Sequence, residues 1–499
     1  MRLELVVQKH SGTITDRPGA ALAALAGAQF TVMLATSIVN VALPQIRSGA
    51  GLSDGGTTWV VNAYGLAFGA LLLAGGRAAD LLGGRRVLLA GLALFGASSL
   101  AAGLASTPEV LIAARAVQGL GAAAVAPAAL ALLMALFPPG PGRGRALGVW
   151  GAVSGAGGAA GVLLGGALTQ AWGWPWIFHA VAGGTALVLG GVAVAVPAAA
   201  LSGAEPATPS GARPSRRARF DLPGTVSVTL ALTALVWGLT GARRSGWADA
   251  RVLGALALAA VLLVVFALIE RRHPHPLLPP RLFTQARVGA GNALMALLGS
   301  VWIALFFFLP LHQQQVLGSS PLVTGLGQLP LAGAIMLGSA SAPRIARRIG
   351  PTATVTAALL AEAGGLLWLA RISTDGGYLA DVLGPSLLIG LGLSVAFVQL
   401  TALSVEGVPR TDAGLAGGLV NTARQTGGAV GLAVLATVAG SVTAHAEDSG
   451  RPHMEALTAG YRTVFGISAA VLMVTAALAL LLALRAGRRP LPLPLAHTS

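Results

Sequence analysis

Four small groups of residues could do chemistry in a chain that is otherwise apolar. The first is Gly76, Asp80, Gly83, Arg85 and Arg86, a short charged stretch between two long apolar runs. A glycine at position 76 lets two backbones approach closely. Asp80 can accept from a helix N-terminus or pair with a cation. Arg85 and Arg86 can hold the connecting loop on the cytoplasmic side, and a plain positive-inside loop is the alternative reading. The second group is Arg115 with Gln118, three apart and on one helix face. An arginine inside an apolar run needs a partner or a wet cavity, so it reads as a proton-relay or gating group, or as one that snorkels to the interface. The third is Glu362, the one carboxylate placed in the middle of an apolar run. It can take up and release a proton, or stay protonated and structural. The fourth is Asn421, Arg424 and Gln425 at i, i+3 and i+4, one polar face that makes either an interhelical network or a cavity wall.

Other chemistries find no residues. The 499-residue chain has no cysteine, which excludes disulfides and thiolate ligands. Its only lysine is Lys9, without the glycine context of a phosphate-binding loop, so no nucleotide is expected. His273 and His275 flank Pro274 with no third ligand nearby, so no metal is expected. No nucleophile–base pair appears, and an enzyme is not expected. The net charge of +15 invites nucleic acid, but the arginines are dispersed over short loops between apolar runs, and no nucleic-acid partner is expected.

The elements that must position these groups are membrane spans. The chain is 55% hydrophobic and 10% charged, with mean hydropathy +0.77, which fits only a polytopic membrane protein embedded in a lipid bilayer. Fourteen apolar segments of spanning length lie near 20–43, 56–75, 87–105, 109–136, 145–169, 175–200, 222–241, 252–270, 287–311, 321–342, 352–371, 380–404, 412–442 and 460–484. Placing the N-terminus inside puts 23 of the 32 basic residues on the cytoplasmic side, seven outside and two, Arg115 and Arg424, within spans. That bias places both termini in the cytoplasm. The polar stretch 1–19 has no apolar core and is read as a tail rather than a cleaved leader.

The spans group as six, two and six. We expect a cytoplasmic tail over 1–19, a six-helix bundle over 20–200, linkers flanking two inserted helices over 201–286, a second bundle over 287–484 and a tail over 485–499. A repeat supports this. Residues 343–350 fall where 76–83 fall in the first bundle, with Arg347 opposite Asp80. The glycines of the fifth span, Gly157, Gly158, Gly161, Gly165 and Gly166, match Gly417, Gly418, Gly427, Gly428 and Gly431, and glycines four apart let helices pack and rock at close range; Gly65 and Gly69 read the same way in the second span.

Several ordered motifs resemble one family. Residues 76–86 resemble the loop between the second and third spans of major facilitator superfamily transporters. Ile38 to Pro44 resembles part of their first-span signature, with Ala35 where an aspartate is common and Ser37 for a threonine. Arg115 to Gly121 is similar to R-x-x-Q-G-x-G. Gly157 to Gly166 resembles the antiporter signature G-x-x-x-G-P-x-x-G-G, with Val162 for the proline. Trp174 to Phe178, Phe306 to Gln315 and Gly414 to Gly427 resemble further stretches of the fourteen-span drug:proton antiporters.

The resemblance implies an all-α polytopic membrane protein of the major facilitator fold, two six-helix bundles plus two inserted helices. It implies an exporter of small amphipathic substrates, drugs or antibiotics, with the proton gradient as energy source, protons as coupling partner and no cofactor, in a bacterial cytoplasmic membrane. Residues 76–86 would be the gate, with Asp80 near Ala413 and Gly414. Arg115 and Glu362 would be the proton-coupling candidates. Gly157, Gly161, Gly165 and Gly166 would form the antiporter helix. Asn40, Gln118, Asn421, Arg424 and Gln425 would line the substrate path. The absent span-one aspartate keeps an uncoupled facilitator open, and an exporter of one endogenous metabolite is the other alternative.

Overall fold

The structure, a computed structural model, describes residues 18–137, 141–196, 221–273, 276, 286–406 and 413–487. The interior stretches of both expected linkers, and residues 1–17 and 488–499 of the expected tails, lie outside the described residues, while 18–19 and 485–487 belong to the first and last helices. Among the described residues, fourteen helices are long and apolar enough to cross a membrane. We number them α1 Pro18–Gly49, α2 Asp54–Leu82, α3 Gly84–Gly103, α4 Pro108–Leu136, α5 Pro141–Trp172, α6 Pro175–Ala195, α7 Leu222–Ser245, α8 Ala250–Arg272, α9 Ala286–Gln315, α10 Pro321–Ile349, α11 Pro351–Leu369, α12 Tyr378–Ser404, α13 Ala413–Asp448 and α14 His453–Gly487.

Local chemistry sets the ends. Ser53, Thr107, Asp221 and Ser320 each accept a hydrogen bond from a backbone N–H one turn into α2, α4, α7 and α10. Prolines stand in the first turn of α4, α6, α7, α10 and α11, where their missing N–H costs nothing. The helices ending at Leu82 and Ile349 stop identically. Gly83 and Gly350 take φ of +94° and +85°, and their N–H groups donate to Ala79 and Ala346. The sequence alignment of 76–83 with 343–350 therefore describes two equivalent helix ends.

The two six-helix sets pack by one plan. α1 lies on α5, α2 on α4, and α3 on α4 and α6. In the second set α9 lies on α13, α10 on α12, and α11 on α12 and α14. The sets meet along α1·α9, α2·α13 and α5·α10. The last two pairs exchange under the pseudo-twofold of a parallel repeat, and α1·α9 sits on its axis. α7 bridges both sets: Leu232 and Val236 bury against Leu66 and Ala70 of α2 and Ala429 and Ala433 of α13. α8 packs on α7 and exposes Leu253, Leu258, Val261 and Val264. Such faces suit lipid, where exposed apolar side chains carry no hydration cost.

Two spans depart from a plain helix. α10 breaks at Gln328, and α12 opens with a π turn, Tyr378–Leu383. Tyr378 Oη donates to the Gly327 carbonyl at 2.6 Å, which satisfies a group freed by the break.

Candidate transport seam

Glycine seats the seam helices on their neighbours, mostly within each set and at a few points across the seam. A methyl group at Gly161 or Gly165 would collide with the α1 backbone at Leu34 or Ile38, and one at Gly157 with the Phe30 carbonyl at 2.9 Å. These three, four apart, seat α5 on α1. Gly166 points the other way, against the Pro321 carbonyl of α10. Gly427 and Gly431 seat α13 on α9 at Ala296 and Ser300. The expectation for Gly65, Gly158 and Gly417 is corrected, since nothing lies within 4 Å of a methyl there. Gly69 does make a close approach, 2.6 Å from Gln425 Cβ across the seam. The tight approach expected at Gly76 belongs to its neighbour: Gly75 abuts the Ala123 backbone of α4, while Gly76 meets Pro127 at an ordinary 3.7 Å.

We call the side where α1 begins the near face and the opposite side the far face. The seam is pinned at the far face. Gln314 Nε2 donates to the Val41 carbonyl at 2.7 Å, and Gln45 Nε2 donates to Gln314 Oε1 at 3.2 Å. The Leu322 N–H donates to Gln170 Oε1 at 3.2 Å. Lower down, Thr422 Oγ1 donates to the Gly69 carbonyl at 3.1 Å. The near halves of α4 and α12 share no packed face.

Arg115 does not snorkel. It is 1% exposed. Its Nε donates to the Val60 carbonyl at 3.0 Å, its Nη1 donates to Gln118 Oε1, and its guanidinium lies 4.4 Å from the Tyr64 ring centroid. Gln118 Nε2 donates to Ser99 Oγ at 2.7 Å. Gln118 is thus engaged at both ends of its amide and fully buried; it braces the arginine rather than lining a path in this conformation. Tyr64 Oη accepts from Thr36 and donates to the Val32 carbonyl, tying α2 to α1.

Arg424 stands across the seam, on α13. Its Nη2 donates to Asn421 Oδ1 at 2.8 Å, and its guanidinium stands 5.2 Å from the Trp302 ring centroid. Trp302 meets Phe397 edge-on at 5.3 Å. Gly299 sets this up. A methyl there would collide with the Arg424 backbone, so α9 and α13 cross at that residue, with Trp302 one turn further on. Gln425 is buried against Gly69. Asn40 is 8% exposed and has no hydrogen-bond partner among the described residues.

Glu362 is fully buried in α11, and both its carboxylate oxygens lack a partner. It packs beneath Gly392 of α12, inside the second set and away from the seam. His312 and Gln313, near the far end of α9, are also buried with every side-chain polar atom unpartnered.

The charged loop divides. The Asp80 side chain and those of Ala413 and Gly414 lie outside the described residues. Arg85 donates from Nε to Val196 and from Nη2 to Ala193 carbonyls, at 2.7 and 2.8 Å, capping the C-terminus of α6 within its own set. Arg86 is exposed. Arg77 Nη2 donates to the Pro276 carbonyl at 3.3 Å, linking α2 to the segment after α8.

Sequence reasoning missed Tyr64, Trp302, Gln45, Gln170 and Thr422. A signal existed for one of them. The chain has three tyrosines, and each one's hydroxyl makes a hydrogen bond that reaches another helix: Tyr64 to α1, Tyr378 to α10 and Tyr461 to Gln315 of α9. The others are ordinary residues made important by their neighbours.

The family model described as Major Facilitator Superfamily matches residues 25–432. The chain is 42% identical over 431 residues to the cephamycin export protein CmcT of Amycolatopsis lactamdurans, covering 86% of each. It is 40% identical over 466 residues to the puromycin resistance protein pur8 of Streptomyces alboniger, covering 92% of this chain and 90% of that one. Among solved structures, an auto-inhibited peptide transporter of the POT family superposes with a TM-score of 0.67 at 16% identity, over 95% of this chain and 98% of that one. That likeness concerns the fold. Fourteen spans, a repeated six-helix packing plan and these matches lead to one conclusion: the chain belongs to the Major Facilitator Superfamily.

Proposed function

We propose that this multi-pass membrane protein is a secondary exporter of amphipathic small molecules, antibiotics among them, working by alternating access and driven by the proton gradient. One observation carries the reading. Two like bundles meet at close glycine contacts, Gly69 on Gln425 and Gly166 on Pro321, and are fastened at the far face by a few neutral hydrogen bonds. Such bonds contribute only about 0.5–1.5 kcal/mol each, so the fastening can release while the bundles rock as bodies. The names of the similar proteins, cephamycin export and puromycin resistance, support an antibiotic cargo. They equally favour a second reading, export of one endogenous metabolite.

The arginine distribution supports a bacterial cytoplasmic membrane with both termini inside, so the near face is cytoplasmic. Protons supply the energy, and no cofactor or nucleotide takes part. Glu362 is the coupling acid, since an unpartnered buried carboxylate is the group whose proton can leave and return. Arg115 holds the charge balance of the first bundle. Asp80, Arg85 and Arg86 govern the near-face gate. Asn40, Asn421, Arg424 and Gln425 meet the substrate in a mostly apolar path.

The test is purified protein in liposomes under an imposed pH gradient, with a panel of amphipathic compounds and a record of proton flux. Substrate-triggered proton movement is expected. Substrate equilibration without proton movement would make the protein an uncoupled facilitator, with Ala35 the reason. Asp80→Asn protein that transports normally at wild-type abundance would remove the gate assignment.

A further inference from the structure

The interior charges of this protein are unbalanced in one direction. In the middle of the spans the described residues hold two guanidinium groups, Arg115 inside the first set and Arg424 at the seam, and neither has a carboxylate within ion-pair distance. The one mid-span carboxylate, Glu362, is buried in the second set beneath α12. Ala35, which the family resemblance would make an acid, is buried and neutral.

The two arginines differ in exposure. Arg115 is 1% exposed, with two of its N–H donors bonded and a ring against its face. Arg424 is only partly buried, and of its five N–H donors a single one is engaged, by the neutral Asn421. It stands about 16 Å of helix rise from the start of α13, over the face of Trp302, with Phe397 behind. A guanidinium with open donors and an aromatic floor is suited to a planar, bidentate acceptor with an apolar body attached.

We propose that the substrate of this exporter carries an acidic group, a carboxylate by preference, which seats on Arg424 above Trp302 between the two bundles. The inference rests on the exporter reading and narrows its substrate to amphipathic organic anions. A cation would meet the like charge of Arg424 there, with no acid within ion-pair distance to offset it. An inorganic anion would leave the Trp302–Phe397 wall unused.

The experiment uses three ligands on one aromatic scaffold: dansylglycine (acid), dansylglycinamide (neutral) and dansylcadaverine (amine). Binding to the full-length protein in detergent is read by dansyl fluorescence. Dansylglycine is expected to bind at least tenfold tighter than either analogue. Arg424→Gln should weaken dansylglycine at least tenfold and the amide less than threefold, and Arg424→Lys should keep part of the preference. Residual amide binding shows that the variant is folded. Equal or better binding of the amine or amide overturns the proposal. So does an acid preference that survives Arg424→Gln, failure of all three to bind, or displacement of dansylglycine by millimolar inorganic phosphate. The same ligands in liposomes separate the two readings. Dansylglycine that binds but is never carried sinks the exporter and spares the site. Carriage without acid preference spares the exporter and sinks the site.

Discussion

The two six-helix bundles share a packing plan but treat buried charge in opposite ways. In the first, Arg115 donates to Val60 and Gln118 and lies against the Tyr64 ring, with Ser99 behind Gln118. In the second, Glu362 and His312 are buried with no partner and Arg424 uses one donor, while neutral amides are left open in both, Asn62 in the first and Gln313 in the second. A buried charge that is bonded rigidifies its surroundings; one left open stores a cost that a proton, a ligand or a movement can relieve. The difference casts the first bundle as the fixed jaw and the second as the one that changes state.

The largest effect expected from this contrast is at Arg115. Arg115→Met should destabilise the protein by about 2 kcal/mol, because the Gln118 amide oxygen is left buried without a donor and the Val60 carbonyl loses the second of its two. Thermal unfolding in detergent would measure it, and a change under about 1 kcal/mol would break the contrast, since one unsatisfied buried group already costs that much.

The far-face fastening comes next. Gln314→Ala removes two bonds that join the bundles. At about 1 kcal/mol the population open at the far face should rise roughly fivefold. The chain has no cysteine, so labels at Ser48 and Ser319 alone can report the distance across that face. An unchanged distance distribution would show that the closure lies elsewhere.

Arg85→Ala should cost about 0.5–1 kcal/mol, through loss of two carbonyl contacts at the end of α6. A much larger loss of transport than of stability would show Arg85 serving the gate as well as the end of α6. Smallest of all is the stability effect at Glu362. Glu362→Gln keeps the shape and breaks no ion pair, so stability should change by less than about 0.5 kcal/mol. Substrate-triggered proton flux should fall sharply. Full flux in this variant would make Glu362 structural and leave coupling to another group.

The fourteen spans, the repeat and the family were legible because each is written in local pattern: apolar runs of spanning length, arginines in loops, glycines four apart. The equivalence of Gly83 and Gly350 was legible for the same reason, since a left-handed helix stop needs glycine wherever it occurs. Arg115 was visible as a charge in an apolar run, and its partner Gln118 as a residue on the same face.

What surrounds those residues was decided by tertiary packing. Which glycine of 75 and 76 touches α4 depends on helix rotation, and one residue turns a side chain by about 100°. Arg85 caps α6 rather than spanning the seam because α6 ends beside α3. Tyr64 and Trp302 lie 51 and 122 residues from the arginines they face, so spacing cannot reveal them. The sequence by itself determined how many helices there are, where they stop and which few carry charge. Only the three-dimensional packing decided which charge is satisfied and which is left open, because that depends on atoms brought together from distant parts of the chain.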